Sequence, residues 1–190
     1  MKRWYLMRHG QTDYNRRRCF YGSQDVSINE QGQAEAKQLR LLMQERAVEA
    51  VYTSRLKRTQ ETARLAFPSR HLQPIADFDE RDFGQWEGLT ADEIEAAFPE
   101  IWQAWLEAPF EVTPPEAEVF SDFQTRVWAA TDRLLDNAEE SIALVAHLGV
   151  LRLIYQHLVD REAVFWNIDV PQGRVLLLEE QDQTWQATLL

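Results

Sequence analysis

Trp4-Tyr5-Leu6-Met7-Arg8-His9-Gly10 begins as a buried strand and ends as a loop. Four apolar residues in succession have strand length, and an arginine, a histidine and a glycine then break the run. Gly10 lets the backbone turn closely around whatever lodges there. The pattern returns late in the chain, where Ser141-Ile142-Ala143-Leu144-Val145-Ala146 runs straight into His147, with Gly149 soon after. In open α/β sheets ligands bind outside the carboxyl ends of strands. Two strand-end histidines therefore point to one shared site.

Outward from these two strands, residues 49–53, 174–179 and 185–190 have the length and β-branched or aromatic content of further strands. Helical patterns lie between them. Asn29 is placed to cap a helix reaching Arg46, with Ala36, Leu39 and Met43 on one face. Ser54 is placed to cap a second, whose stripe Leu56, Thr59, Ala63 and Ala66 ends at Pro68. Phe120, Phe123, Val127, Ala130 and Leu134 keep the three-four spacing of a third, between Glu118 and Asn137. The alternation predicts an α/β fold: a three-layer sandwich with a mostly parallel central sheet and helices on both faces. The short separation at 180–184 joins the last two strands as a hairpin, which makes one of them an antiparallel edge strand. From about 77 to 117 the pattern is irregular, with prolines and glycines among aromatic residues, and reads as a small cap inserted into a single domain spanning 1–190.

The 190 residues, 45% of them hydrophobic, suffice for a full core, and the formal net charge of -11 argues against nucleic acid or an anionic membrane as partner. An anionic ligand would need locally concentrated arginine. Cys19 is the only cysteine, so neither an intrachain disulfide nor a cysteine-based metal cluster can form. No stretch reads as a signal peptide or a membrane span, and a reducing, cytoplasmic setting is expected. The sequence is silent on oligomeric state.

Arg58, near the start of the helix that follows strand 49–53, is expected at the same rim as His9 and His147. A guanidinium fork beside a helix amino terminus suits phosphate. A neutral imidazole whose other nitrogen is held as N–H by a backbone acceptor can attack phosphorus in line, giving a phosphohistidine. A small phosphorylated substrate follows, with no metal and no cofactor. His71 and His157 lack comparable neighbours and read as structural, and Arg16-Arg17-Arg18 reads as a surface run. Trp86, Trp102, Trp105, Phe98 and Phe110 either fill the core of the cap or stack on a flat substrate.

Leu6-Met7-Arg8-His9-Gly10-Gln11-Thr12 with Asn15, Ser54-Arg55-Leu56-Lys57-Arg58-Thr59 with Thr62-Ala63, Glu80-Arg81-Asp82-Phe83-Gly84-Gln85-Trp86-Glu87-Gly88, and His147 with Gly149-Val150 and Arg152 together resemble the motifs of the histidine phosphatase, or phosphoglycerate mutase-like, superfamily. The resemblance implies that His9 is the nucleophile, that Arg8, Arg58 and His147 bind the phosphoryl group, and that Glu80 protonates the leaving oxygen. It places Asn15, Gln11, Gly22 and Leu148 at the substrate. Tyr21 to Val26, Phe83 to Gly88 and Pro99 to Trp105 resemble the α-ribazole-5′-phosphate phosphatases within it, which implies a role in cobalamin nucleotide-loop assembly. A broad-specificity phosphatase, a phosphoglycerate mutase and a non-catalytic phosphate-binding module are the alternatives. Three positions depart from the family pattern: Leu148 stands for a usual glycine, Arg55 for a usual proline, and Ala117-Glu118-Val119 for a usual Gly-Glu-Ser.

Overall fold

The computed structural model describes residues 1–190. Six strands form one sheet: β1 (Arg3–Arg8), β2 (Ala50–Thr53), β3 (Leu72–Pro74), β4 (Ser141–Ala146), β5 (Leu176–Gln181) and β6 (Thr184–Leu189), in the order β3-β2-β4-β1-β5-β6. The first four in that order are mutually parallel. The hairpin forms the expected antiparallel edge, in which β5 runs against β1 and β6 against β5. Its turn is only Asp182-Gln183, both with positive φ (48° and 63°). That pair of left-handed residues matches the strand twist, and it lengthens β5 beyond the predicted end at 179.

Alternate strand residues face opposite layers. Trp4, Leu6, Tyr52, Ile142 and Leu144 pack with α6 (Phe120–Leu135) and α7 (Leu148–Leu158). Tyr5, Met7, Val51, Ala143 and Val145 pack with α2 (Glu30–Met43) and α3 (Lys57–Ala66). The middle strands are therefore apolar on both sides, as a covered parallel sheet requires.

Asn29 caps α2, its side chain accepting from the Gly32 N–H at 3.0 Å. Leu56, not Ser54, occupies the cap position of α3 and offers no side-chain cap; Ser54 Oγ accepts from the Leu56 N–H at 3.2 Å and is shared with partners outside the helix. Val119 holds the cap position of α6 and likewise offers no side-chain bond. A short helix α1 (Asp13–Arg17) follows β1, closed by a capping box between Thr12 and Asn15. Between β3 and α6, helices α4 (Ala91–Ala97) and α5 (Pro99–Glu107) surround a separate apolar cluster of Trp86, Ile94, Trp102 and Trp105. Phe20 reaches into it from the loop after α1, meeting Trp86, Trp102 and Trp105 edge-on at 5.7–5.9 Å. No helix is long and apolar enough to cross a membrane.

Candidate active site

Sheet register brings the site together. Arg8 pairs with Ala146 across β1 and β4, so the next residue of each strand, His9 and His147, emerge side by side. Their ring centroids are 5.3 Å apart and both side chains are buried. Thr53 pairs with Val145, which puts Ser54 at the same rim from β2.

His9 Nδ1 lies 2.8 Å from the Gly10 carbonyl, which can only accept, so the neutral ring carries its proton on Nδ1 and leaves the Nε2 lone pair free. Gly10 is in turn held by its N–H on Thr62 Oγ1 at 2.9 Å. A Cβ on Gly10 would meet the Gly32 carbonyl oxygen at 2.4 Å, so loop and helix α2 can approach only as glycines.

His147 is fixed at both nitrogens. Arg58 Nε donates to Nδ1 at 3.3 Å, and Nε2 lies 2.8 Å from Ser54 Oγ. Because guanidinium has no acceptor, the neutral ring must carry its proton on Nε2 and donate it to Ser54. Ser54 Oγ then lies 2.9 Å from Thr59 Oγ1, and the Thr59 hydroxyl reaches the Leu56 carbonyl at 2.9 Å. Burial, first of all, and the nearby Arg58 charge hold the pKa of both imidazoles well below the ordinary 6.5. Both are neutral at neutral pH.

Arg58 is buried, and its fork is anchored by the carbonyls of Gly22 at 2.6 Å and Gln24 at 2.8 Å. With the Nε–H on His147, three of its five N–H donors are used. The anchors orient the charge without neutralising it. Arg8 is half-buried, and its Nε is buried with no partner in the protein. In a chain of net charge -11, two unneutralised guanidiniums beside two neutral imidazoles make a local anion site. Tyr21 completes its wall: the Arg58 guanidinium lies 4.7 Å from its ring centroid, and its hydroxyl meets Thr12 Oγ1 at 2.7 Å.

Glu80 projects toward the same rim from the loop after β3. Its Oε1 accepts from the Arg81 N–H at 3.0 Å and its Oε2 from the Gly149 N–H, in the first turn of α7, at 3.1 Å. Burial raises its pKa from 4.5 against the opposing pull of those two bonds. Arg55 steadies the approach, since its N–H and guanidinium both hold Asp79 at 2.6–2.8 Å. A proline there would have no N–H to give.

The four expected substrate contacts are placed differently. Asn15 Oδ1 accepts from Thr12 and from Gln172 Nε2, which leaves only the amide nitrogen for a ligand. Gln11 is tied to the start of α2, where its Oε1 accepts from the Asn29 amide at 3.1 Å. Gly22 spends its N–H on Glu87 and its carbonyl on Arg58, so it orients the arginine. Leu148 opens α7 with helical backbone, so no glycine is required there, and its side chain lines a cavity on the Glu80 side. Trp105 and Phe110 also line that cavity, whereas Trp86 and Trp102 lie in the cap cluster, with Phe98 packed against it.

Sequence reasoning missed Ser54, Tyr21 and Arg81, and the Phe165-Trp166 pair that faces the cap across the cavity. Only Ser54, Tyr21 and Arg81 lie within quoted motifs. His157 pairs with Asp132 at 2.6 Å against Trp128, Arg16 pairs with Asp13, and His71 is exposed. No group of three His, Cys, Asp or Glu side chains is placed to hold a metal ion.

The profile of the histidine phosphatase superfamily (branch 1) matches residues 4–190. A bifunctional protein of Mycobacterium tuberculosis is 32% identical over 159 residues, which cover 82% of this chain and 43% of that protein. The adenosylcobalamin/α-ribazole phosphatase of Escherichia coli is 31% identical over 177 residues, 91% of this chain and 87% of the relative. The chain spans less than half the length of the first curated relatives it matches. Among solved structures, the α-ribazole phosphatase from Shigella flexneri superposes with a TM-score of 0.91 at 26% identity, over 99% of this chain and 95% of that one.

Proposed function

The chain belongs to the histidine phosphatase superfamily, and on that premise we propose that it hydrolyses small phosphomonoesters through a phosphohistidine on His9, with α-ribazole 5′-phosphate as substrate and cobalamin nucleotide-loop assembly as its setting. The observation that carries the reading is the free Nε2 of His9, whose partner nitrogen is pinned to the Gly10 carbonyl, 5.3 Å in ring centroids from His147 and beside unneutralised Arg8 and Arg58.

Phosphoryl transfer needs positioning and charge compensation more than covalent machinery. Arg8 and the two spare N–H groups of Arg58 take the equatorial oxygens, joined by the Leu148 N–H at the start of α7 and by the Asn15 amide. His147 Nε2–H joins them if the entering phosphoryl oxygen draws it from Ser54. Glu80, whose pKa burial raises above the ordinary 4.5, gives its proton to the departing alkoxide and then takes one from the water that attacks the phosphohistidine. The likeness to α-ribazole phosphatases in sequence and structure supports the substrate.

The test is to incubate the protein with a labelled phosphomonoester and quench it in base. Acid-labile phosphate on His9, absent in His9→Ala together with activity, is the expected result; a fully active His9→Ala sinks the mechanism. Parallel assays with α-ribazole 5′-phosphate, phosphoglycerates and sugar phosphates decide the substrate.

A further inference from the structure

Glu80 reaches the site from a loop, and a loop can present a proton donor accurately only where its backbone is held. The carboxyl group has two bonds of its own, from the N–H groups of Arg81 and Gly149. The backbone that carries it is held from the body of the protein by one side chain. Arg126, on α6, donates from Nη1 to the carbonyls of Asp77 and Asp79, both at 2.8 Å, and from Nη2 to the carbonyl of Glu80 itself at 3.2 Å. Its remaining donors go to the Glu118 carboxylate, Nε to Oε1 at 2.6 Å and Nη2 to Oε2 at 2.8 Å.

All five N–H donors of this guanidinium are therefore spent within the protein. Arg8 and Arg58 keep donors for a ligand, whereas Arg126 keeps none. Its partners sit where the chain enters and leaves the cap: residues 77–80 lead into it, and Glu118 lies just before α6. The two ends are also joined to each other, since the Glu118 N–H donates to the Asp82 carbonyl at 3.0 Å and the Glu118 carbonyl accepts from Arg81 Nε at 3.0 Å. On the body side, the Arg126 guanidinium lies 4.8 Å from the ring centroid of Phe123, which is buried in the main core against the sheet. The sheet that carries His9 is thereby connected to the Glu80 backbone through α6 and Arg126.

We propose that Arg126 is the positioning residue of the acid: it fixes residues 77–80 to helix α6, and with them the point at which the Glu80 carboxyl group meets the leaving oxygen. The proposal rests on the assignment of Glu80 made above. The role requires the planar fork of an arginine, because a lysine ammonium gathers its three donors on one atom and cannot span three carbonyls and a carboxylate together.

A double-mutant cycle separates positioning from general support of the fold. Hydrolysis of benzyl phosphate, whose leaving group is an alkoxide, is measured for the wild type, Arg126→Met, Glu80→Gln and the double variant. With Glu80 present, Arg126→Met is expected to lower kcat by about 10- to 100-fold, the scale on which a displacement of about 1 Å acts. With glutamine at position 80 there is no proton to deliver, and the same substitution should cost less than about twofold, within the usual error of additivity. Arg126→Lys should lie between, and it carries the cycle if Arg126→Met does not fold. The loss should fall on kcat rather than KM, and p-nitrophenyl phosphate, whose phenolate leaves without a proton, should be affected far less. Equal proportional losses with and without Glu80, or equal losses on the two substrates, overturn the proposal. The two readings fail separately: wild-type turnover in Glu80→Gln defeats the acid assignment on which the proposal stands, whereas an impaired Glu80→Gln beside unimpaired Arg126 variants defeats the positioning role alone.

Discussion

His147 Nε2 and Ser54 Oγ are 2.8 Å apart at the ends of neighbouring parallel strands, and with Arg58 Nε on the other ring nitrogen this contact dictates the tautomer of the imidazole. The serine hydroxyl is itself aligned by Thr59, so the chain Leu56 carbonyl, Thr59, Ser54, His147 has one consistent direction of donation. Ser54→Ala removes the acceptor and leaves the Nε2 proton without its partner in the free protein. Turnover should fall about tenfold, the effect of losing an orienting bond worth roughly 1–2 kcal/mol. Nitrogen-15 spectra of the imidazole are the independent readout. The wild type should show the Nε2–H form, and a wild-type spectrum of the Nδ1–H form would refute the arrangement.

The opposite shifts of His9 and Glu80 set the pH dependence. His9 attacks only as the neutral ring, and its depressed pKa moves the acid limb well below 6.5. Glu80 donates only while protonated, and its raised pKa carries the alkaline limb above 4.5. kcat/KM should therefore be bell-shaped, rising as His9 loses its proton and declining as Glu80 ionises. In Glu80→Gln the alkaline limb should disappear and kcat should drop by about 10²–10⁴. Substrate ionisation is common to both proteins, so the difference between their profiles is the measurement. An alkaline limb unchanged in Glu80→Gln would assign the acid elsewhere.

These geometries were legible in the sequence to different depths. The strand-end histidines His9 and His147 were visible because a buried parallel strand leaves an uninterrupted apolar run, Arg58 was expected at their rim because it opens the helix after a strand, and Arg8 and Glu80 were assigned through the family resemblance. Helix α7 was not identified, since Leu148 to Leu158 follows His147 with no capping side chain to announce it. Ser54 was misread as a helix cap: its hydroxyl was legible as an acceptor for a nearby N–H, but not that His147, 93 positions away, would claim it. The aromatic cavity was half visible. Trp105 and Phe110 stood out in the cap, whereas Phe165 and Trp166 reach it only through the loop after α7. Gln11 and Gly22 illustrate the same limit, because hydrogen bonds to residues distant in sequence, Asn29 for Gln11 and Glu87 and Arg58 for Gly22, decide how a loop residue is used.

Val119 offers a stability test away from the chemistry. It holds the cap position of α6 with extended backbone (φ -63°, ψ 135°), and only its carbonyl, not its side chain, accepts from the first turn. Val119→Ser supplies a hydroxyl to an N–H that lacks a partner and removes an apolar side chain that is 44% exposed. Helix caps of this kind are worth about 1 kcal/mol, which for a chain of this size raises Tm by roughly 2–4 °C. Thermal unfolding at fixed pH measures it, and an unchanged or lower Tm would show that the helix start is already satisfied.

Gly149 tests the assignment of the acid without touching the carboxylate itself. A Cβ built on Gly149 would lie 2.5 Å from Glu80 Oε1 and 3.2 Å from Oε2, so Gly149→Ala must push the carboxyl group aside. The obstacle is the far end of a side chain rather than backbone, so the fold should accommodate the methyl. The displacement also removes the Gly149 N–H from Oε2, one of the two bonds that position the acid. Alkyl phosphates, whose alkoxide is a poor leaving group, should then lose about 10²-fold or more in kcat, the lower end of what a positioned acid contributes. p-Nitrophenyl phosphate should lose far less, because its phenolate departs without a proton. Inorganic phosphate should still bind, since Arg8 and Arg58 are untouched. The ratio of the two losses carries the argument: equal losses on both substrates would mean that Gly149→Ala damages the phosphate cradle, and that Glu80 is not the group donating to the departing oxygen.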